Sequence, residues 1–275
     1  MQKPSNTAAS TGKDGVDKFS QIMFESLNNY FDKIYVITLQ RATDRHLRLQ
    51  QELQGLNYTL LYGVDKLNIN KAELIQNKKY DAALAVQHHI MSKEMSPGEM
   101  GCAFSHWMVY EDVVKNGYNR VLILEDDVVI DRKKLPLFDE IINELPADWG
   151  LWYLGFDKNE QPPANAFLKK IFYHLLFAMR IKRKFNHTVI NHLYPQPFSA
   201  HLKIAGFHDC AHAYAVTGET ARLFLNMQTP LSYIADHLLA YAASSQLVKA
   251  FVTLPMLINQ QYQVATLPIK SYINQ

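Results

Sequence analysis

Three consecutive acidic residues interrupt an apolar run in this chain, and they constrain its fold more than any other feature. Residues 121–130 read Val-Leu-Ile-Leu-Glu-Asp-Asp-Val-Val-Ile. The apolar flanks predict a buried strand, whereas adjacent carboxylates repel one another and are costly to remove from water. We therefore expect the acids where the strand emerges from the core. Because hard divalent cations bind carboxylate oxygens, the triplet predicts a metal-phosphate site.

Length and composition leave the class of protein open but exclude a few possibilities. With 275 residues, 48% of them hydrophobic, the chain suffices for one large domain or two small ones. Its two cysteines, Cys102 and Cys210, form neither a zinc motif nor a disulfide framework, which favours a reducing compartment. Residues 1–20 are polar, resemble no signal peptide and predict a disordered leader. We expect a soluble cytoplasmic protein, compatible with a peripheral position on the inner face of the cytoplasmic membrane.

The beginning of the chain predicts a strand–helix–strand unit. Residues 34–39 and 58–64 are apolar, β-branched or aromatic runs that favour strands. Thr43 or Asp44 can cap a helix between them. The apolar positions of that helix are Leu47, Leu49, Leu53 and Leu56. This order indicates a βαβ unit and a parallel sheet.

A second helix is predicted directly before the acidic strand. Ser96, Pro97 and Glu99 have the spacing of a capping box with proline at the first helical position. The helix would run over residues 97–115 and end at Gly117, which favours a left-handed C-terminal conformation. Further strands are predicted at 151–155 and 213–217, and further helices at 218–227 and 234–244.

The stretch 161–208 differs in composition from the rest of the chain. It contains no Asp or Glu, seven Lys or Arg residues and five of the eleven histidines. Apolar residues recur at helical spacing from Phe167 to Met179, and the cluster 180–184 reads Arg-Ile-Lys-Arg-Lys. A basic amphipathic helix is typical of membrane surfaces, and residues 167–184 therefore predict contact with an anionic membrane. The alternative is an ordinary core-packed helix with solvated lysines; no nucleic-acid-binding signature accompanies the charge.

Several motifs together resemble glycosyltransferase family 25, the lipooligosaccharide-type and procollagen-type galactosyltransferases. The motifs are the first strand with Arg41, Asp44 and Arg45 after it, Gly-Val-Asp at 63–65, Ser-Pro-Gly-Glu-Met-Gly-Cys-Ala-Phe-Ser-His at 96–106 and Leu-Ile-Leu-Glu-Asp-Asp-Val at 122–128. The resemblance covers residues 32–131 well and continues weakly to Asp236. It implies an α/β fold of GT-A type, with a mostly parallel central sheet flanked by helices. It also implies a nucleotide-sugar donor and a divalent metal, Mn²⁺ or Mg²⁺.

The resemblance also implies which residues form the site. Asp127 would bind the metal directly, with Glu125 on the metal or on a metal-bound water. The residues that would contact the donor are Thr38, Arg41, Arg45, Asp65, Ser105, His106, Glu125 and Asp126. On this basis the chain divides into a leader (1–20), a donor-binding region (30–160), a basic amphipathic insertion (161–208) and an acceptor-side completion (209–275).

The acceptor side is defined by fewer residues. An inverting transfer needs a carboxylate base for the acceptor hydroxyl, and Asp236 is the candidate, with Asp209 and Glu99 as alternatives. A retaining mechanism stays open. His208, Asp209 and His212 lie close together in sequence, and one of them could complete a metal shell.

The residues and the resemblance lead to one main functional hypothesis and two alternatives. The main hypothesis is a metal-assisted hexosyltransferase that moves galactose from a UDP-sugar to a surface glycan or glycolipid such as lipopolysaccharide. A metal-dependent phosphohydrolase is the second, although Glu125 stands where such enzymes usually place a nucleophilic Asp. A catalytically inactive protein that binds sugar nucleotide or glycolipid is the third.

Overall fold

The predicted strand–helix–strand unit forms one edge of a central sheet. In the computed structural model, which describes residues 23–179 and 185–264, a helix α1 (23–30) precedes β1 (Lys33–Thr38), α2 (Thr43–Glu52) and β2 (Thr59–Tyr62). Strands β1 and β2 pair in parallel, which confirms the βαβ unit. Of the four leucines predicted as apolar positions of this helix, Leu49 is buried within α2 and Leu53 and Leu56 are buried beyond its end, but Leu47 is 66% exposed. It falls on the opposite side of the helix, so that part of the prediction is wrong.

The remaining elements alternate helices with strands. In chain order they are α3 (Lys71–Gln76), α4 (Ala82–His88), α5 (Pro97–Asn116), β3 (Arg120–Glu125), β4 (Val128–Ile130), α6 (Phe138–Glu144), β5 (Leu151–Asp157), α7 (Ala166–Ala178), α8 (His187–Asn191), β6 (Gln196–Pro197), β7 (Leu202–Ile204), β8 (Asp209–Thr217), α9 (Gly218–Met227), α10 (Ala235–Ser244), β9 (Ala250–Thr253), β10 (Ile258–Gln260) and α11 (Gln261–Val264).

The central sheet has the strand order β2-β1-β3-β8-β5-β9-β7-β6 within the described ranges. Six of these eight strands point the same way, and only β8 and β7 run against them. The predicted α/β class with a mostly parallel sheet is therefore confirmed. A separate two-stranded ribbon pairs β4 with β10 in antiparallel fashion, directly beyond the acidic end of β3.

Both faces of the sheet are covered, as strand β3 illustrates. Leu122 and Leu124 point into a core that contains Phe24, Leu49, Phe138 and Trp152. The alternate residues, Val121 and Ile123, point into a second core that contains Tyr110, Tyr214, Phe224 and Leu239. Successive strand side chains face opposite sides, so a strand buried on both faces is a continuous apolar run. The acids at the end of β3 are thus the first polar positions beyond this double core.

Helix α5 is fixed at both ends as the sequence predicted. The Ser96 side chain accepts from the Glu99 backbone N–H, and the Glu99 carboxylate accepts from the Ser96 backbone N–H. Gly117 ends the helix with φ of 70°, a left-handed conformation that glycine adopts without a side-chain clash. Because both ends are defined, the helix carries residues 101–106 to a fixed position beside the sheet.

The basic stretch contains a helix, α7, over most of the predicted span, whereas the cluster 180–184 and the leader 1–20 lie outside the described residues. Among the helices that are described, none is both long enough and apolar enough to cross a membrane.

Candidate functional site

The candidate site lies where β1 and β3 end side by side. Ile37 of β1 pairs with Glu125, the last residue of β3, so Thr38 and the acidic triplet emerge at the same edge of the sheet. The carboxyl ends of parallel strands are the usual place for a ligand crevice in α/β sheets. Asp126 and Asp127 form the turn that leads into β4.

Asp126 is the buried member of the triplet and is bound by two side chains from the first βα unit. Thr38 Oγ1 donates to its carboxylate at 2.7 Å, and Arg45 Nη1 donates to the other oxygen. Burial raises the pKa of Asp126, and the Arg45 charge opposes that rise. Arg48 donates to the backbone carbonyls of Asp126 and Val128, at 2.5 and 2.8 Å. Asp126 therefore holds Thr38 and Arg45 at the end of the sheet.

Glu125 and Asp127 both face one side-chain amide, which comes from a strand near the end of the described sequence. Gln260 Nε2, on β10, lies 3.1 and 3.0 Å from the two Asp127 oxygens and 3.5 Å from Glu125 Oε2. Burial raises the pKa of Asp127 to about 7, and the Glu125 charge adds to the rise. Burial also tends to raise the pKa of Glu125. His106, His212 and Arg45 oppose this effect and hold that pKa below its ordinary value. Of the pair, Asp127 is thus the member that takes up a proton first as the pH falls.

These residues fit a divalent cation. Two carboxylates converge on one neutral amide, and burial together with the Glu125 charge raises the pKa of Asp127, effects that a cation at this place would offset. Gln260 Oε1, on the same amide, is buried without a hydrogen-bond partner, and a half-turn of the amide would direct this hard oxygen toward the two acids. Oxygen ligands of this kind suit Mg²⁺ and Mn²⁺. The residues that would hold such a cation are Glu125, Asp127 and Gln260.

His106 reaches the same site from α5 through a directed set of hydrogen bonds. Its Nδ1 lies 2.7 Å from the Tyr214 hydroxyl, which lies 2.7 Å from the Tyr110 hydroxyl. Its Nε2 is buried without a hydrogen-bond partner and faces Glu125 Oε1 across 3.6 Å. If Tyr110 donates to Tyr214 and Tyr214 donates to Nδ1, the remaining ring proton sits on Nε2 and points at Glu125. The arrangement therefore orients Glu125.

Ser105 and two glycines join α5 to the end of β2. Ser105 Oγ donates to the Gly101 carbonyl at 2.6 Å and accepts from the Val64 N–H at 2.9 Å. A Cβ on Gly63 would overlap Ser105 Oγ, and one on Gly101 would lie 2.5 Å from the Val64 carbonyl oxygen. Close contact between helix and strand therefore explains both glycines and gives Ser105 a positioning contact. Its predicted contact with the donor stays a prediction.

Asp65 follows this contact and pairs with Arg41. The Arg41 guanidinium binds both Asp65 oxygens, and the Leu67 N–H donates to one of them at 3.1 Å. The Arg41 hydrogen bond lowers the pKa of Asp65. The pair lies at the ends of β1 and β2, beside the crevice.

Asp236 begins helix α10 on the predicted acceptor side. Its carboxylate accepts from the His237 N–H at 2.9 Å and from the Cys210 N–H at 3.4 Å. Burial raises the pKa of Cys102, and Glu125, Asp236 and Asp127 all add to the rise. Cys210 lies on β8 three positions before Ala213, which pairs with Leu124 of β3, so Asp236 contacts β8 at the edge of the sheet where the acidic pair emerges.

The other candidates for base or ligand have defined contacts. Glu99 belongs to the capping box and contacts His89, and Asp209 pairs with Lys158 at 2.7 Å. Ligand atoms of Asp209, Asp236 and His237 lie within 4.8 Å of one another, as do those of Cys102, His106 and Glu125.

His208 and His212 contact backbone groups. His208 Nε2 accepts from the Gly206 N–H at 3.0 Å, and burial lowers its pKa to about 4. His212 Nε2 lies 3.2 Å from the Ile258 carbonyl oxygen. Burial lowers the pKa of His212 as well. Both rings are therefore neutral near pH 7 and take part in the packing beneath the site.

Sequence reasoning missed Gln260, Tyr110 and Tyr214. Gln260 sits on a three-residue strand with no surrounding motif, so its role depends on a pairing that spans 133 positions. The two tyrosines read as ordinary core residues, and nothing in the sequence indicates that their hydroxyls meet.

The chain was compared with known families and proteins. The profile described as "Glycosyltransferase family 25 (LPS biosynthesis protein)" matches residues 31–239. Over 130 residues, the chain is 31% identical to the human protein named "Inactive glycosyltransferase 25 family member 3" and 29% identical to human "Procollagen galactosyltransferase 2". Each match covers 46% of this chain but only 22% and 21% of the relative, so the chain spans about a fifth of the length of the curated relatives it matches. Mouse xyloside xylosyltransferase 1, in its apo form, aligns with 86% of this chain and 71% of its own, at 13% identity and a TM-score of 0.33.

Proposed function

Since the chain belongs to glycosyltransferase family 25, we propose that it moves a hexose, with galactose as the first candidate, from a UDP-sugar to a surface glycan. Lipopolysaccharide or another glycolipid is the acceptor class that we propose. The observation that carries the proposal is the convergence of Glu125 and Asp127 beside Arg45 at the carboxyl ends of β1 and β3. A diphosphate leaving group needs this combination of a cation site and a guanidinium.

We propose the following roles on the donor side. Glu125 and Asp127 would hold Mn²⁺ or Mg²⁺, which supplies Lewis-acid neutralisation of the leaving diphosphate. Arg45, held by Asp126, would add a guanidinium suited to phosphate oxygens. Asp65, together with Arg41, would bind the ribose or the base. His106 would keep Glu125 in position.

On the acceptor side, Asp236 is the proposed general base. Its carboxylate would take the proton from the acceptor hydroxyl as that oxygen attacks the anomeric carbon, which gives inversion. Support comes from its position near the acidic pair and from its two backbone N–H contacts, which fix the carboxylate.

The donor-side proposal is tested by UDP release from UDP-galactose and from other UDP-sugars. We expect release that requires Mn²⁺ or Mg²⁺, stops with EDTA and falls by about a hundredfold or more in Asp127→Asn, because a carboxylate ligand is lost. Asp131→Asn is the control, since Asp131 pairs with Lys134 one turn further on. Equal rates in Asp127→Asn and the parent protein would contradict the metal assignment.

The base is tested separately by a split between binding and transfer. Asp236→Asn should keep its calorimetric affinity for the UDP-sugar but lose transfer to the acceptor, whereas Asp209→Asn should keep both. Loss of donor affinity in Asp236→Asn, with unchanged turnover of bound donor, would assign Asp236 to the donor side instead.

A binding protein without turnover is the second candidate function, because the human relative with 31% identity carries the name "Inactive glycosyltransferase 25 family member 3". It predicts metal-dependent binding of a UDP-sugar with no UDP release for any acceptor. The phosphohydrolase alternative predicts release of inorganic phosphate. UDP release, donor binding and release of inorganic phosphate, measured on the same UDP-sugars, therefore distinguish all three functions.

A further inference from the structure

Helix α7 presents a large apolar surface to solvent. Six side chains make up this surface, which we call the apolar face of α7, and they are between 43% and 74% exposed: Phe167, Leu168, Ile171, Phe172, Leu175 and Met179. Single exposed apolar residues are common on protein surfaces. A contiguous group of six large ones on one helix is uncommon and marks an interaction surface.

The six residues form one continuous stripe. At about 100° per residue, they fall within an arc of about 140° around the helix axis. Lys169 lies beyond one edge of this arc and Lys170 beyond the other, so charged side chains flank the stripe on both sides. This is the pattern of a helix that lies in the plane of a membrane interface.

The opposite side of α7 is anchored to the protein. Tyr173 packs with the buried cluster around Val189, and the Phe177 ring meets the His187 ring edge-on at 4.8 Å. His174 and Lys170 contact Asn191, at 3.0 and 2.6 Å. Helix α8 thus fixes the rotation of α7 about its axis. Within the part of the chain that the structure describes, the apolar face of α7 therefore points to solvent.

The charge of the surrounding stretch identifies the occupant of this face. Residues 161–208 carry +7, whereas the whole chain carries +2, which leaves −5 for all other residues. An anionic surface attracts this stretch, and a second copy of the same stretch repels it. Charge complementarity therefore favours an anionic bilayer over self-association through α7.

We propose that α7 docks on an anionic lipid bilayer, with its apolar face at the boundary between headgroups and acyl chains and Lys169 on the lipid phosphates, while Lys170 on the other flank keeps its bond to the Asn191 carbonyl. Basic residues near such a surface each add to the attraction, and Arg180, Lys182, Arg183 and Lys184 continue the positive charge along the sequence. The proposal does not depend on the transfer reaction.

Docking through α7 would also orient the acceptor side. Tyr241 of α10 packs against the same cluster as Tyr173 of α7. Asp236 begins α10, so the helix with the proposed base is joined by packing to the docked helix. This orientation rests on the proposed function, because it assumes that Asp236 is the base and that a glycolipid is the acceptor. The glycolipid would then meet the base from the side on which the protein binds the membrane.

The test is flotation of the full chain with two kinds of vesicle, one of phosphatidylcholine alone and one of phosphatidylcholine and phosphatidylglycerol in equal parts. We expect binding to the anionic vesicles that falls as salt rises and little binding to the neutral ones. Phe172→Glu should weaken binding by about tenfold or more, because a charge replaces an aromatic ring at the interface. Charge removal at Lys182 and Arg183 should weaken it as well.

The matched control is Leu47→Glu, which places the same charge on a leucine of α2 that is 66% exposed, against 56% for Phe172. It should bind as the parent protein does, and unchanged unfolding curves for both variants show that the fold is kept. Three outcomes would overturn the proposal. They are no binding of the parent protein to anionic vesicles, equal binding of Phe172→Glu and Leu47→Glu, and a dimer that Phe172→Glu dissociates, which would make the face a self-association surface. UDP release in solution does not enter this test, so failure of the docking proposal and failure of the proposed activity are distinguishable.

Discussion

Gln260 donates its side-chain amide to both oxygens of Asp127, although the two residues lie 133 positions apart in sequence. The opposite atom of the same amide, Oε1, is buried and has no hydrogen-bond partner. Rotation of the amide by half a turn would present this oxygen to a cation held by Glu125 and Asp127. The side chain therefore donates a hydrogen bond to the acids without a cation and is placed to bind one.

The first prediction concerns metal affinity. Gln260→Ala should weaken Mn²⁺ binding by about tenfold, in line with the loss of a supporting ligand or of a group that orients one. Gln260→Glu should strengthen it, because a third carboxylate replaces a neutral oxygen. Calorimetry or the manganese spin-resonance signal, with Mn²⁺ alone, measures both.

The control for this comparison is Gln261→Ala, the next residue, which contacts Asp127 through its backbone N–H. Its affinity for Mn²⁺ should equal that of the parent protein. A Gln260→Ala variant with unchanged affinity would show that the amide acts only in the cation-free protein.

The second prediction uses two tyrosines that are neighbours across the sheet. Tyr214 and Tyr153 face each other on β8 and β5, and both are fully buried. Tyr214→Phe should cost about 1–3 kcal/mol of unfolding free energy, because His106 and Tyr110 lose their partner. Tyr153→Phe should cost nothing or stabilise, since its hydroxyl has no hydrogen-bond partner. Urea unfolding compares the two free energies.

Equal losses in these two variants would contradict the hydrogen-bond chain. A second readout addresses the site itself. If Tyr214 fixes the His106 tautomer, then Tyr214→Phe should lower turnover of the UDP-sugar, whereas Tyr153→Phe should not.

The third prediction concerns Gly101. Alanine normally stabilises a helix relative to glycine by about 1 kcal/mol. Here the added Cβ would lie 2.5 Å from the Val64 carbonyl oxygen, which is backbone and cannot move aside cheaply. Gly101→Ala should therefore destabilise by about 1–3 kcal/mol, measured by thermal unfolding. A gain in stability would show that α5 and the end of β2 can separate.

The fourth prediction is a pH dependence. Burial and Glu125 raise the pKa of Asp127 to about 7 in the folded protein. The folded state then binds more protons than the unfolded chain between about pH 4 and 7, so stability falls as pH rises through this range. Asp127→Asn removes the cost of burying an ionised carboxylate beside Glu125. With EDTA present, its advantage over the parent protein should grow by about 1–3 kcal/mol from pH 5 to pH 8.

Asp131→Asn is again the control, and it should behave in the opposite way. The pKa of Asp131 is lowered by its hydrogen bond with Lys134, so its carboxylate stabilises the fold above its ordinary pKa. If the stability difference between Asp127→Asn and the parent protein did not change with pH, the group that takes up the proton would be a residue other than Asp127.

The sequence predicted those parts of the fold that depend on local patterns. The limits of α5 follow from Ser96, Glu99 and Gly117, because each acts on backbone groups within a few positions. The position of β3 and the emergence of its acids follow from an apolar run. The order β3-β8-β5 did not follow, because the insertion of an antiparallel strand between two others leaves no periodic signal.

The candidate site was predictable to a similar extent. Family motifs identified the side chains from the first half of the chain, which the structure brings together at one edge of the sheet. They gave no information on partners, such as the bonds from Thr38 and Arg45 to Asp126, since a motif identifies a residue and not the atom that it contacts. Leu47 was misassigned because all the leucines of the segment were counted as one apolar set, although Leu47 and Leu49, two positions apart, lie on opposite sides of a helix at about 100° per residue.

The ribbon of β4 and β10 has a consequence for the order in which the protein acquires its site. Glu125 and Asp127 emerge from the ribosome about 130 residues before Gln260, and contacts over such separations form late because loop closure opposes them. The two acids must therefore stay solvated, or bind a cation transiently, while the remainder of the sheet assembles around them. The site is complete only when β10 pairs with β4, so a cation present at that moment would compete with the Gln260 amide for the two carboxylates.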